Sequence, residues 1–172
     1  DLILKALTEV GVDPERAVTV QGKPATVSDL FRGSLARTWA GPAGISAGSY
    51  NDAPWTLQGL AAWVPPDASW TASGHDMTMD LYTERVVAKL SQETVFMRQA
   101  MSSGQPIQKR GQGIFAYTCG GAHLLQGAGY AVGRGYGGAP AKHRLGKEIE
   151  VLYWRFDVEL GIVDDALAQA PA

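Results

Sequence analysis

Residues 113–138, GIFAYTCGGAHLLQGAGYAVGRGYGG, contain the only cysteine of this 172-residue chain and one of its three histidines, among many glycines. We interpret the first part of the stretch, residues 113–132, as a helix. Four of its polar side chains would then lie on one face: Cys119, His123, Gln126 and Tyr130. A helix whose inward face carries a thiol, an imidazole, an amide and a phenol needs partners for these groups. The stretch is therefore the candidate centre of the protein.

Length and composition indicate one ordinary globular domain spanning residues 1–172. Hydrophobic residues make up 45% of the chain and charged residues 19%, which does not indicate disorder. The net charge of −2 argues against a nucleic-acid partner, since such surfaces carry a basic excess. No apolar run approaches the roughly 18–20 residues that cross a bilayer. We expect a soluble protein without a membrane span.

The first residue and the tryptophan content bear on the origin of the chain. It begins with Asp1 rather than methionine, which we interpret as a fragment or mature form of a longer gene product. Five tryptophans favour an exported, periplasmic or assembly-bound protein. A single cysteine cannot form an internal disulfide, so it says nothing about the redox compartment.

Apolar residues recur at helical spacing through most of the chain. Besides the glycine-rich stretch, six segments follow this spacing: residues 1–10, 27–39, 54–64, 76–101, 142–160 and a short one at 163–170. Two β-favouring runs around a glycine-containing link predict one small hairpin near residues 17–27. Residues 67–75 are interpreted as a link, and no exact sequence repeat is visible. The predicted fold is all-α, a helical bundle or stacked helical hairpins with about six or seven helices.

The glycines of the central stretch have two readings. Gly120, Gly121 and Gly127 could let a neighbouring helix or a ligand approach the backbone closely, and we favour helix packing. Residues 127–133 also have the GxGxxxG shape of a phosphate-binding loop. That motif requires a preceding strand, whereas a helix is predicted here, so we reject a phosphate site.

Cys119 and His123, at i and i+4 of the predicted helix, could bind one metal ion or one substrate. Two ligands are too few for zinc, and His75 and Asp76 are the best remote candidates, followed by His143 and Glu148. The set is compatible with a zinc site of Cys119, His123 and His75, or with a thiolate nucleophile activated by imidazole. Equally, Cys119 could be a buried small hydrophobic residue and His123 a hydrogen-bonded core group.

The remaining site candidates support this centre. Tyr130 and Gln126 would contact a ligand from the same helical face, with His75 and Asp76 contributing from a distant segment. No cofactor is predicted from a recognised motif, and zinc is the cofactor that the side chains could accommodate.

Residues 111–132 resemble an inner helix of the α/α-toroid domains found in prenyltransferases and terpene cyclases. In those domains a glycine-rich loop leads into a helix whose small residues and a cysteine or histidine face the barrel axis. The resemblance implies helical-hairpin architecture. It implies no activity, because the Asp-x-Cys zinc pattern of prenyltransferases would need aspartate at position 117, where this chain has Tyr117.

Taken together, the patterns favour a non-catalytic helical domain that packs against a protein partner or forms a homo-oligomer. No catalytic motif is recognisable, the glycines suit close backbone contact, and tryptophans are enriched at interfaces. The alternative is an enzyme or metal-binding protein that uses Cys119 and His123.

Overall fold

The structure is a computed structural model that describes residues 2–39, 41, 52–107 and 113–170. These residues form seven α-helices: α1 (Leu2–Glu9), α2 (Val27–Leu35), α3 (Asp52–Trp63), α4 (Met79–Glu93), α5 (Val95–Ser103), α6 (Ala122–Gly133) and α7 (Gly138–Ala168). They also form four short strands: β1 (Ala17–Val20), β2 (Lys23–Thr26), β3 (Ser69–Ala72) and β4 (His75–Thr78). Two 3₁₀ helices cover Gly113–Ala116 and Thr118–Gly121. The predicted mostly helical fold with a hairpin at residues 17–27 is confirmed.

The two hairpins have the same local structure. β1 pairs with β2, and β3 with β4, antiparallel over four residues each. The two-residue turns at 21–22 and 73–74 have positive φ at both positions, the primed-turn geometry that matches strand twist. Each hairpin runs directly into a helix through an N-cap threonine, Thr26 or Thr78. The units α1–β1–β2–α2 and α3–β3–β4–α4 therefore repeat one helix–hairpin–helix arrangement.

The second hairpin lies where the sequence predicted a link followed by a helix. Residues 67–75 contain β3, and α4 begins at Met79 rather than near Asp76. The valine and threonine residues that marked the first hairpin have few counterparts in β3 and β4, whose sequences are SWTA and HDMT. Ala72 and Met77 are fully buried, so packing against the rest of the protein stabilises this hairpin.

The core is built around α3, which lies against α1, α4 and α6. Leu57 and Leu60 are completely buried. At Gly127 in α6, an added Cβ would lie 2.5 Å from the backbone oxygen of Pro54, so the close helix packing predicted for this glycine is confirmed. The buried Tyr82 donates a hydrogen bond to the carbonyl of Ala53 at 3.2 Å, and burial raises the pKa of its phenol.

The longest element, α7, has 31 residues, and at 1.5 Å per residue it is about 46 Å long. It packs on α4, α5 and α6. The separate short helix predicted at 163–170 is instead the end of α7, because no proline interrupts the chain before it and α7 continues through Gly161. Within the described ranges, no helix is both long enough and apolar enough to cross a membrane.

Candidate functional site

The predicted helix over residues 113–132 is interrupted before its midpoint. α6 begins only at Ala122, and Cys119, Gly120 and Gly121 have left-handed backbones with φ of 55°, 58° and 81°. Two consecutive glycines make such a turn inexpensive, and periodicity alone does not reveal it. The prediction of a continuous helix was wrong, and Cys119 is not one helical turn from His123 on a common face.

The three proposed zinc ligands lie in three different surroundings. Cys119 is exposed and lines a cavity beside α7. His123 makes an edge contact with the Trp55 ring of α3, with centroids 5.7 Å apart. His75, on the second hairpin, stacks on Trp39 with centroids 3.7 Å apart. Among the described residues, no group of three histidine, cysteine or acidic side chains could hold a metal ion together.

The supporting candidates also lie outside the cavity that the thiol lines. Tyr130 is half-buried, with the Arg134 guanidinium 4.9 Å from the centre of its ring. Gln126 is exposed on α6. Asp76 is exposed in β4, opposite Thr71. The structure therefore does not bring Tyr130, Gln126 or Asp76 together with Cys119.

A cavity of about 270 Å³ lies between the middle of α7 and the turn that contains Cys119. Most of its wall is apolar, with side chains from five elements: Leu90, Met97, Ile114, Leu125, Val151 and Phe156. Its polar lining comes from Thr94, Cys119, Glu148, Arg155 and Glu159. A space of this kind could accept a small apolar group, with polar atoms at one side to orient it.

Glu148 is the buried charge at this site, with only 2% of its side chain exposed. Its carboxylate accepts hydrogen bonds from Ser91 at 2.7 Å, from Arg98 at 2.5 Å and from Thr94. Thr94 is the residue between α4 and α5, so the carboxylate fastens α7 to the junction of these helices. Glu148 ranked low among the candidates from the sequence and Arg98 was not predicted, because their pairing joins positions 50 residues apart.

Arg155 holds the Cys119 turn against α7. Its guanidinium lies 4.8 Å from the centre of the Phe115 ring and reaches the Gly120 carbonyl oxygen at 3.4 Å. It also forms an ion pair with Glu159 at 2.9 Å, one helical turn further along. Arg155 was not predicted from the sequence as a residue of this site. The i, i+4 spacing of an arginine and a glutamate was the available signal, although surface helices carry many such pairs.

From Ile149 to Leu167, α7 exposes an apolar stripe, which we call the α7 face. Its seven members recur at helical spacing and are each at least 38% exposed: Ile149, Leu152, Tyr153, Phe156, Leu160, Val163 and Leu167. The residues of α7 that are buried lie before this region or at its start, at Ala141, Leu145, Glu148 and Val151. Leu152 and Phe156 belong both to the α7 face and to the cavity wall. The two features therefore form one surface.

No known family model, curated protein or solved structure matches this chain. The resemblance of residues 111–132 to an inner toroid helix stays a prediction, and residues 111 and 112 lie outside the described ranges. The function must therefore be argued from the geometry.

Proposed function

We propose that this chain is a non-catalytic interaction domain that binds a partner chain through the α7 face. The observation that carries the proposal is the exposure of the second half of α7: of the described residues 152–168, none is buried, yet large apolar side chains recur on every turn. Water-soluble monomers rarely leave an ordered apolar stripe of this length uncovered.

The size of the α7 face supports an interface. Tyr153 is 68% exposed and Phe156 is 61% exposed. An aromatic side chain buries about 150–250 Å² when fully covered, so these two alone offer roughly 250 Å². Five aliphatic side chains extend the same face, which brings it beyond the few hundred Å² that a monomer typically leaves exposed. Aromatic residues near the centre of such a patch are the usual energetic anchors of an interface.

The shape of the α7 face indicates a helical partner. The stripe is narrow and follows a helix, the surface that another amphipathic helix covers by interlocking side chains. A helical segment as short as residues 152–168 is only marginally stable in water without tertiary contacts. A partner helix on the face would cover the apolar side chains of the second half of α7 that the described residues leave exposed.

A capture experiment with matched variants tests the proposal. Tagged wild-type protein, Phe156→Asp and Leu160→Asp would be compared with Ile162→Asp, in which an equally exposed apolar residue off the stripe is replaced. We expect partner capture to fall at least tenfold for the two face variants and to stay unchanged for Ile162→Asp. Unfolding temperatures should stay close to the wild-type value in all three. Capture that is indifferent to Phe156 and Leu160 would contradict the proposal.

A thiol-dependent function is the second candidate. It is favoured by Cys119, which lies exposed at the cavity with a left-handed backbone that is uncommon for residues other than glycine. This candidate function uses the cysteine of the predicted Cys119/His123 centre but not the histidine. Iodoacetamide labelling of the folded protein, with Cys119→Ser as a control, tests this candidate. Labelling slower than that of free N-acetylcysteine would count against it.

A further inference from the structure

The α7 face points to the identity of its partner. We propose that the partner is a second copy of this chain, bound antiparallel along α7 with a two-fold axis beside Phe156. This inference rests on the proposed function, because it names the partner of the same face.

Five of the seven members of the α7 face are spaced symmetrically about Phe156, and Tyr153 and Leu167 are not part of this symmetry. The five, Ile149, Leu152, Phe156, Leu160 and Val163, follow one another in steps of three, four, four and three residues. In an antiparallel pair, positions equally far before and after the centre lie side by side. Ile149 then lies beside Val163 of the partner subunit, and Leu152 beside Leu160 of the partner subunit. A two-fold axis makes each of these contacts twice, as a self-complementary interface requires.

The charges of α7 select the antiparallel arrangement over the parallel one. Exposed basic residues lie before the α7 face, at Lys142, Arg144 and Lys147. After Arg155, every charged residue of α7 is acidic: Asp157, Glu159, Asp164 and Asp165. A parallel pair would align the two acidic ends, which repel each other. An antiparallel pair instead directs each acidic end towards the basic start of the other copy, and it also opposes the two helix dipoles.

The Arg155–Glu159 ion pair lies at the centre of this arrangement. Both residues line the cavity, so they lie on the same side of the α7 face. Reversing the second helix places Arg155 of each copy within one helical turn of the partner's Glu159. The two intrahelical pairs thus become a four-member network across the interface, in which no charge lacks an opposite neighbour.

The protein body limits how far the two helices overlap. Leu145 is already buried, so the contact begins at Ile149 and ends at Val163. This is a rise of about 21 Å along the helix. Such a contact is smaller than the roughly 800 Å² per partner of a standard interface, and we expect a dissociation constant on the order of 1–100 μM.

Sedimentation equilibrium from 5 to 500 μM tests self-association. We expect the wild-type protein and Ile162→Asp to dimerise with the same constant, and Phe156→Asp to weaken the dimer at least tenfold. Circular dichroism of Phe156→Asp should match that of the wild-type protein, which shows that the variant folds. A wild-type protein that is monomeric at 500 μM overturns the inference. If the protein is monomeric but the α7 face captures a different protein, the proposed function still holds. If it captures no other protein either, the proposed function fails as well.

Disulfide trapping tests the orientation. In a Cys119→Ser background, which removes the only native thiol, Ile149→Cys and Val163→Cys variants would be mixed at equal concentration and oxidised. The antiparallel arrangement yields mainly the mixed disulfide between the two variants. A parallel arrangement would yield mainly disulfides between two copies of the same variant, and this product would overturn the proposed geometry.

Discussion

The two halves of α7 share one continuous helix and one apolar period, yet the buried side chains of this helix all lie in the first half. Leu145, Glu148 and Val151 are buried in the first half, whereas Phe156 and Leu167 are well exposed in the second. The difference teaches that a helical apolar stripe identifies a face that will be covered. It does not identify whether the cover comes from the same chain.

The two halves should therefore contribute to different properties. The first half carries the buried carboxylate and the packing against α4 and α5, so it should govern the free energy of unfolding. The second half should govern association and leave the unfolding of dilute protein nearly unchanged. One matched pair of substitutions compares a buried and an exposed carboxylate within the first half, and two further pairs compare the two halves.

The largest effect is expected at Glu148. Replacing it by alanine removes the acceptor of three hydrogen bonds and leaves the Arg98 guanidinium without its carboxylate. We expect Glu148→Ala to lower the free energy of unfolding by about 3–5 kcal/mol, the usual cost of breaking a buried ion pair. The exposed Glu150→Ala should change it by less than about 0.5 kcal/mol. Urea unfolding measures both, and equal effects would contradict the assigned role of Glu148.

A smaller effect is expected from the apolar members of the stripe. Leu145→Ala should cost about 2–4 kcal/mol, because it leaves a cavity between α7 and the helices beneath it. Leu167→Ala should leave the unfolding of dilute protein within about 0.5 kcal/mol of wild type, because its side chain is 69% exposed. Thermal unfolding at low micromolar concentration makes this comparison. Similar losses at both positions would show that the second half is covered within the monomer.

The smallest effect is expected at two helix glycines. An added Cβ at Gly146 or at Gly161 would meet no atom of the described residues within 4 Å, so both positions accept alanine. Alanine gains about 0.5–1 kcal/mol over glycine inside a helix. Gly146→Ala should raise the global free energy of unfolding by that amount. Gly161→Ala should slow amide hydrogen exchange mainly in the second half of α7, because none of residues 152–168 is buried and we expect that half to open without the core.

Much of the fold could be predicted because helical spacing depends only on residues that are close together in the sequence. The hairpin at residues 17–27 and the helical segments on either side were found in this way. The second hairpin was missed because its four-residue strands depend on the burial of Ala72 and Met77. The candidate site was predicted less well. Cys119 does line a cavity, but its left-handed backbone separates it from the helical register of His123.

The amino-acid sequence by itself determined which residues of α7 share a face, because that depends only on the 3.6-residue turn of the helix. It also determined the symmetric spacing about Phe156 and the change from basic to acidic charge along α7. Only the tertiary structure decided that Leu145 is covered and Phe156 is not. Burial depends on which distant elements pack against each turn, and the side chains of α7 that these contacts bury end at Val151.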